Sequence, residues 1–296
     1  MGCKNCSCVG HGQTRKEEED LEVIDMEESK ERQLNRESSM GIILDLPEKN
    51  WVSVVTSCSE LARIAEERLN TFEFDPNDGF SKDLNFTEKL PNGCYYIGQK
   101  DLNGRRSGRG VFLWEDGSKY IGYWKDDKAC GFGRLVHSDG DVYEGMWMND
   151  KAHGKGKYVH FNGAVYEGEW VEDQQDGVGF EKWIDGAFYV GSYRQGKKHG
   201  FGEFNWGDGS VFKGEFKNNK IDGFGSYLWK DGRRYEGDWK NNKMHGTGKF
   251  KWPDGRKYVG EYVKDKKEGV GEFLWPSGKR IKGVWKGGKR VDETIN

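Results

Sequence analysis

Three things are scarce in this chain of 296 residues: long apolar runs, an excess of one charge, and aliphatic bulk. No run approaches the roughly 18 apolar residues that a membrane-spanning helix needs, so the sequence predicts none. The first residues also lack the apolar core of a secretory signal. With 47 basic and 50 acidic side chains the formal net charge is only −3, which argues against a wholesale nucleic-acid binder. Hydrophobic residues are 34% and the mean hydropathy is −0.94, too polar for a thick aliphatic core. What the chain has instead is rings and glycine. Aromatics make up 14%, with 12 Trp, and the 44 Gly are about twice the usual share of roughly 7%. That composition suits thin layers of sheet, joined by glycine turns and held by aromatic rings.

The chain divides near Asn92. Through Cys94 there are 11 basic and 20 acidic residues; the remainder carries 36 and 30. Only 6 Gly and one Trp, Trp51, lie in the first part. Residues 15–46 are largely charged or polar, including Glu17, Glu18, Glu19 and Asp20 in a row, and read as an acidic disordered linker. Residues 47–92 read as a helical segment. Within it Trp51, Val55, Cys58, Leu61, Ala62, Ala65 and Leu69 recur at three- and four-residue intervals, predicting one amphipathic helix of about five turns. Such a stripe either packs on a neighbouring sheet or meets a partner.

From residue 96 to 296 the chain is an internal repeat. An aromatic followed two residues later by Gly starts each unit, at Tyr96, Tyr120, Tyr143, Tyr166, Tyr189, Phe212, Tyr235 and Tyr258, with a partial ninth start at Ile281. Eleven positions on in the regular units comes Gly-x-Gly, then aromatics, then a turn such as Asp139-Gly140 or Asp231-Gly232. A fixed period dictates the architecture before any other signal. In Tyr166–Trp170 the rings and the glycine share one strand face, because side chains alternate. Each unit is then a two-stranded hairpin, with its rings expected over the glycines of its neighbours. Asp-Gly supplies the positive φ of the turn into the next unit. The fold class this gives is all-β: an elongated single sheet of tandem hairpins, preceded by the helix and a disordered N-terminal tail.

Tyr-x-Gly-x-Trp, a short loop, Gly-x-Gly, an aromatic and Asp-Gly together resemble the MORN (membrane occupation and recognition nexus) repeat. The resemblance runs from Tyr96 to the C-terminus. Lys100 stands where the first unit should have Trp, Tyr193 and Phe216 replace it in the fifth and sixth, and the last unit breaks off after Val284-Trp285. The resemblance implies a non-catalytic scaffold that binds cytoskeletal or ciliary proteins, often as a homodimer. It implies no cofactor, no metal and no nucleic acid.

Residues 1–14 form a second signal. Met1-Gly2-Cys3-Lys4-Asn5-Cys6-Ser7-Cys8 resembles a dual-acylation sequence, with Gly2 for myristate and Cys3, Cys6 and Cys8 for palmitate. One myristoyl chain binds membranes only marginally and no polybasic patch follows, so cysteine acylation must supply the second anchor. Cys3, Cys6, Cys8 and His11 also read as zinc ligands, although the Cys6-x-Cys8 spacing is tight for that metal.

Three constellations recur in register. Lys197, Lys198, Lys217, Lys220, Lys240, Lys243, Lys264, Lys266, Lys267, Lys286 and Lys289 occupy one hairpin loop in consecutive units. Stacked, they would line a rim able to face anionic phospholipid, or simply keep the sheet soluble. Trp147, Tyr166, Trp170 and Trp239 belong to aromatic rows expected to form the sheet face and a partner-docking surface. The residue before Gly-x-Gly runs His153, Asp176, His199, Asp222, His245, Glu268, either a pH-sensitive edge or polar turn residues entering a strand. Gly283–Arg290 resembles a phosphate loop only by chance, since Arg290 replaces the required Ser or Thr.

The expected function is a scaffold held to the cytoplasmic face of a plasma or ciliary membrane by N-terminal lipids. The alternatives are a radial-spoke-like component of a cilium axoneme or basal body, and a phosphoinositide-binding recruiter of a lipid kinase.

Overall fold

The computed structural model describes residues 59–291. They form one helix and nineteen strands, in two compact units that divide between Gln174 and Gln175. The first holds α1 (Glu60–Glu67) and strands β1 (Phe86–Lys89), β2 (Tyr95–Lys100), β3 (Arg106–Leu113), β4 (Lys119–Lys125), β5 (Lys128–Val136), β6 (Val142–Met148), β7 (Lys151–Val159) and β8 (Val165–Val171). The second holds β9 (Gln174–Lys182), β10 (Phe188–Arg194), β11 (Lys197–Asn205), β12 (Val211–Lys217), β13 (Lys220–Leu228), β14 (Arg234–Lys240), β15 (Lys243–Lys251), β16 (Lys257–Val263), β17 (Lys266–Leu274), β18 (Arg280–Lys286) and β19 (Lys289–Val291). Inside each unit every strand pairs antiparallel with the next in the chain. The all-β hairpin array is as the period predicts, and β18 with β19 completes the partial ninth hairpin.

A row of glycines crosses the strands. Gly133 pairs with Gly122 on one side and Gly145 on the other; Gly225 pairs likewise with Gly214 and Gly237. The row exists because a ring lies in it. A Cβ on Gly156 would sit 2.3 Å from the Tyr143 hydroxyl oxygen, and one on Gly248 equally close to that of Tyr235. Each tyrosine thus covers the two glycines of its own hairpin rather than those of a neighbour. From Tyr96 to Tyr189 and at Tyr235 the hydroxyl donates to a carbonyl three residues on, as Tyr143 to Met146 at 2.9 Å and Tyr235 to Asp238 at 3.0 Å. That carbonyl lies beside the bulge between the glycine and the tryptophan.

It is the tryptophan that reaches the neighbouring unit. Trp147 Nε1 donates to the Gly133 carbonyl at 3.1 Å, and Trp239 to that of Gly225 at 3.3 Å. Trp147 stands edge-on to Tyr143 and to Tyr120, with centroids 5.1 and 5.2 Å apart. Such edge-to-face pairs are worth about 0.5–1.5 kcal/mol beyond the burial itself. The core is therefore a herringbone of alternating Tyr and Trp.

Two kinds of turn alternate. The turn between units is the expected one: Gly117 has φ +86° and donates to the Trp114 carbonyl at 3.1 Å. The turn within a unit has only two central residues, both at positive φ, such as Asn149 and Asp150 at 53° and 67°. Asn and Asp tolerate that region and match the strand twist. The second of them also joins successive hairpins. Asp150 Oδ1 accepts from the Ala129 amide at 2.7 Å, and Asn242 and Asp265 repeat the bond to Ile221 and Met244.

The helix is shorter than its stripe. Ser59 is extended, with φ −85° and ψ 135°, so a single helix from Trp51 to Leu69 does not form; residues 51–58 lie outside the described residues. The Ser59 hydroxyl donates to the Ser138 carbonyl instead of capping its own helix. Ala62 and Ala65 pack with Val136, Val142 and Leu69, so the described part of the helix covers the sheet. Residues 69–85 are not helical, and β1 adds a strand that helical periodicity did not foresee.

Candidate functional site

The hairpin ends carry the lysines. Lys217 lies directly opposite Lys220, Lys240 opposite Lys243, and Lys286 opposite Lys289, with two turn residues between each pair. Among the described residues none of these six makes an ion pair. Lys197, Lys264 and Lys266 are likewise exposed at the same level.

Lys198 and Lys267 leave this rim and turn inward. Lys198 is buried, 2.7 Å from Glu181, beneath the rings of Trp183 and Tyr189. The Tyr193 hydroxyl donates to the same carboxylate at 2.8 Å. Lys267 lies over Trp252, Tyr258 and Phe273, and burial pushes its ammonium below the usual lysine range. A signal was present in the sequence: the same register position holds Ala129, Ala152, Ile221 and Met244, all buried. A lysine there is a core residue with a charge, not a rim residue.

The expected partner face is interior. Trp147, Tyr166, Trp170 and Trp239 are 6%, 2%, 1% and 3% exposed. They share the glycine-lined face, where close backbone approach leaves no room for a partner.

The histidine and acid column resolves into turn chemistry. Asp176, Asp222 and Glu268 accept from the amides of Gln195, Asn241 and Gly287, each the first turn residue of the next hairpin, at 3.0, 3.1 and 2.8 Å. His153 and His199 each keep a buried Nδ1 with no partner. A cavity of about 370 Å³ beside His199 is lined by Arg194, Gln195, Lys197 and Asn218. Among the described residues no group of three His, Cys, Asp or Glu is placed to hold a metal ion. Gly2, Cys3, Cys6, Cys8 and the acidic linker lie outside the described residues.

The opposite face of the first unit is covered by residues 70–84, which sequence reasoning missed. Phe72 packs on Val111 and Ile121 and stacks on Phe132, with centroids 5.7 Å apart. Phe74 stands edge-on to Tyr123 at 5.3 Å, and the Arg109 guanidinium lies 5.1 Å from the Phe74 centroid. Arg109 holds Asp78 by two bonds of 2.8 Å and donates a third to the Asp75 carbonyl. That guanidinium, with the Tyr123 hydroxyl, pulls the Asp78 carboxyl down to about 2. The signal was Phe72-Glu73-Phe74, an alternating pair next to a helix, which periodicity at three and four cannot see.

Similar solved structures include the wild-type TCP10 domain of Danio rerio CPAP, at 12% identity and TM-score 0.38, covering 71% of this chain and 99% of that one. The SAS-4 (dCPAP) TCP domain of Drosophila melanogaster, in complex with a proline-rich motif of Ana2 (dSTIL), matches at 14% identity and TM-score 0.31, covering 64% and 99%. No curated protein matches the sequence. The MORN repeat profile matches residues 96–119, 120–142, 143–165, 166–188, 189–211, 212–233, 235–255 and 258–280, the same boundaries that the hairpins show. With eight such matches over more than half of its length, the chain belongs to the MORN-repeat family, whose members are repeat scaffolds and binding proteins.

Proposed function

We propose that this chain is a non-catalytic scaffold that docks partner proteins or cytoskeleton while tethered to the cytoplasmic face of a membrane, plasma or ciliary. The observation that carries the scaffold reading is the register of the polar groups. Asp150 and its equivalents hold a strand amide of the preceding hairpin, Asp222 and its equivalents hold turn amides, and hydroxyls such as that of Tyr143 hold bulge carbonyls. The recurring side chains therefore work on the array itself, and function falls to its surfaces. The anchor reading rests on Gly2 with Cys3, Cys6 and Cys8, two lipid signals where one alone would bind only weakly. The rim, reduced to nine lysines by the inward turn of Lys198 and Lys267, would add about 1 kcal/mol per charge near an anionic surface.

The test is the intact mass of the protein from its own cells, with and without hydroxylamine, alongside cross-linking and recovery of bound proteins. A myristoyl increment with a hydroxylamine-sensitive palmitoyl increment is expected. An unmodified N-terminus removes the anchor and moves the axonemal or basal-body scaffold to first place. Recovery of no bound protein by either full-length or lipid-free chain removes the scaffold itself.

A further inference from the structure

The seat that Phe72 occupies in the first unit is present again, empty of any described segment, in the second. Phe72 rests on Val111, Ile121 and Phe132. Val111 and Ile121 are directly paired across β3 and β4. Three repeats further along the same register positions are Phe180, Val190 and Phe201, and Phe180 is directly paired with Val190 across β9 and β10. All three point away from the glycine row, as their counterparts do. Val111 and Ile121 are 4% and 7% exposed under Phe72, with Phe132 at 39% on the margin of that seat, whereas Phe180, Val190 and Phe201 are 37%, 44% and 66% exposed. Phe224 continues the apolar strip one repeat on, also exposed.

The charges around the two seats are opposite in sign. Arg109 and Arg134 flank the first, and both meet residues 70–84: Arg109 binds Asp78, and the Arg134 guanidinium lies 5.6 Å from the Phe72 centroid. The equivalent positions in the second unit are Val178 and Glu203, the latter already paired with Lys213 at 2.9 Å, so the unpaired acids there, among the described residues, are Glu215 and Asp238. Glu215 lies directly opposite Phe201, and Asp238 directly opposite Phe224; among the described residues neither acid is in an ion pair. An occupant as acidic as residues 70–84 would therefore be repelled.

We propose that Phe180, Val190 and Phe201 seat an aromatic side chain from an extended segment of a partner protein, in which Lys or Arg flanks the aromatic residues and faces Glu215 and Asp238. The chain's own Phe72-Glu73-Phe74 is the template for the backbone and the ring spacing, and the reversed field sets the charge. This rests on the reading of the chain as a protein-docking scaffold and is independent of its lipid anchor.

The probe is a fluorescein-labelled peptide of residues 70–80 carrying E73K, D75K and D78K, titrated against the full chain. It should bind at least about tenfold more tightly than the unsubstituted acidic peptide, with an affinity that falls as salt rises. Phe201→Ser in the full chain should weaken it by about tenfold or more without moving the thermal midpoint, since that ring is largely exposed. Replacing Phe72 and Phe74 by Ser in the peptide should abolish binding, which separates an apolar seat from plain charge attraction. Equal binding of the acidic peptide, indifference to Phe201→Ser, or no binding at about 1 mM would each overturn the seat. So would a dimer in sedimentation that Phe201→Ser dissolves, because a second copy would then be the occupant. Peptide failure together with recovered partners insensitive to Phe201→Ser removes this seat alone; recovery of no partner removes the scaffold reading beneath it.

Discussion

The two compact units use the same hairpin and differ in what they do with its two faces. In the unit from β9 to β19 the rings that follow Gly-x-Gly form an unbroken ladder. It runs Trp183, Phe204, Trp206, Tyr227, Trp229, Phe250, Trp252, Phe273, Trp275, with successive centroids 4.4–5.4 Å apart. Among the described residues no segment covers its opposite face. In the unit from α1 to β8 the ladder is interrupted: Leu135 and His137 stand where Phe204 and Trp206 stand later. There the helix and residues 70–84 supply cover on the opposite face instead. The glycine row, the Tyr and Trp herringbone and the turn bonds are common to both. The repeat determines how a hairpin is built, and a few register positions outside it determine whether a face is closed or open.

The largest expected effect tests what the units share. Trp147→Ala in the first unit and Trp239→Ala in the second should each cost about 3–5 kcal/mol in urea unfolding, because both rings are buried and hydrogen-bonded. A near-neutral Trp147→Ala would restore that row as a surface. The next test concerns the second unit alone. Glu181→Ala leaves the Lys198 ammonium buried without its carboxylate and should cost about 3–5 kcal/mol, whereas Glu181→Leu with Lys198→Met should be close to neutral. The first unit, with Ala129 and Ala152 at the lysine position, has no counterpart to that penalty.

A third prediction separates the units by pH. Asp78 titrates at about 2 when held by Arg109 and near 3.9 when released. Its contribution to holding residues 70–84 is therefore complete above roughly pH 4 and lost as the pH falls toward 2. Amide exchange of residues 70–84 should rise over that window ahead of the β-strand amides, and Asp78→Asn should raise it already at neutral pH. Uniform exchange across both units would show that the cover is not a separate element. The smallest effect is a gain. Gly196 has φ +74° and open space at its Cβ, and it stands where Asp150, Asn219 and Asn242 bond the preceding hairpin. Gly196→Asn should add that bond to the Gln175 amide and stabilise the second unit by about 0.5–1.5 kcal/mol, read as a shift of the urea midpoint.

Much of this was legible in the residues. The period of Tyr96, Tyr120 and their successors, with Gly two places on, specified hairpins, register and turn positions, because β-pairing at a fixed spacing admits few alternatives. The Asp-Gly turns were equally plain. The candidate surfaces were not. A ring in an alternating strand reads the same whether its face is covered or bare, so Trp147 and Trp239 read as part of a docking face although the glycine row draws the sheet against them. Lys198 and Lys267 read as loop cations, since one residue of register separates a rim from a core position. The five-turn helix failed at Ser59, whose hydroxyl is taken by the Ser138 carbonyl, 79 positions away in sequence.

By itself, then, the sequence determined the repeat, its hairpins and the kind of residue at every turn, since these depend on contacts within about 23 residues and on local backbone preference. Tertiary structure alone decided which face is core, which lysines are buried, and which seat residues 70–84 fill. Those outcomes depend on pairings between strands and on a cover drawn from outside the repeat. No local pattern encodes the side of a one-layer sheet on which a distant segment will lie.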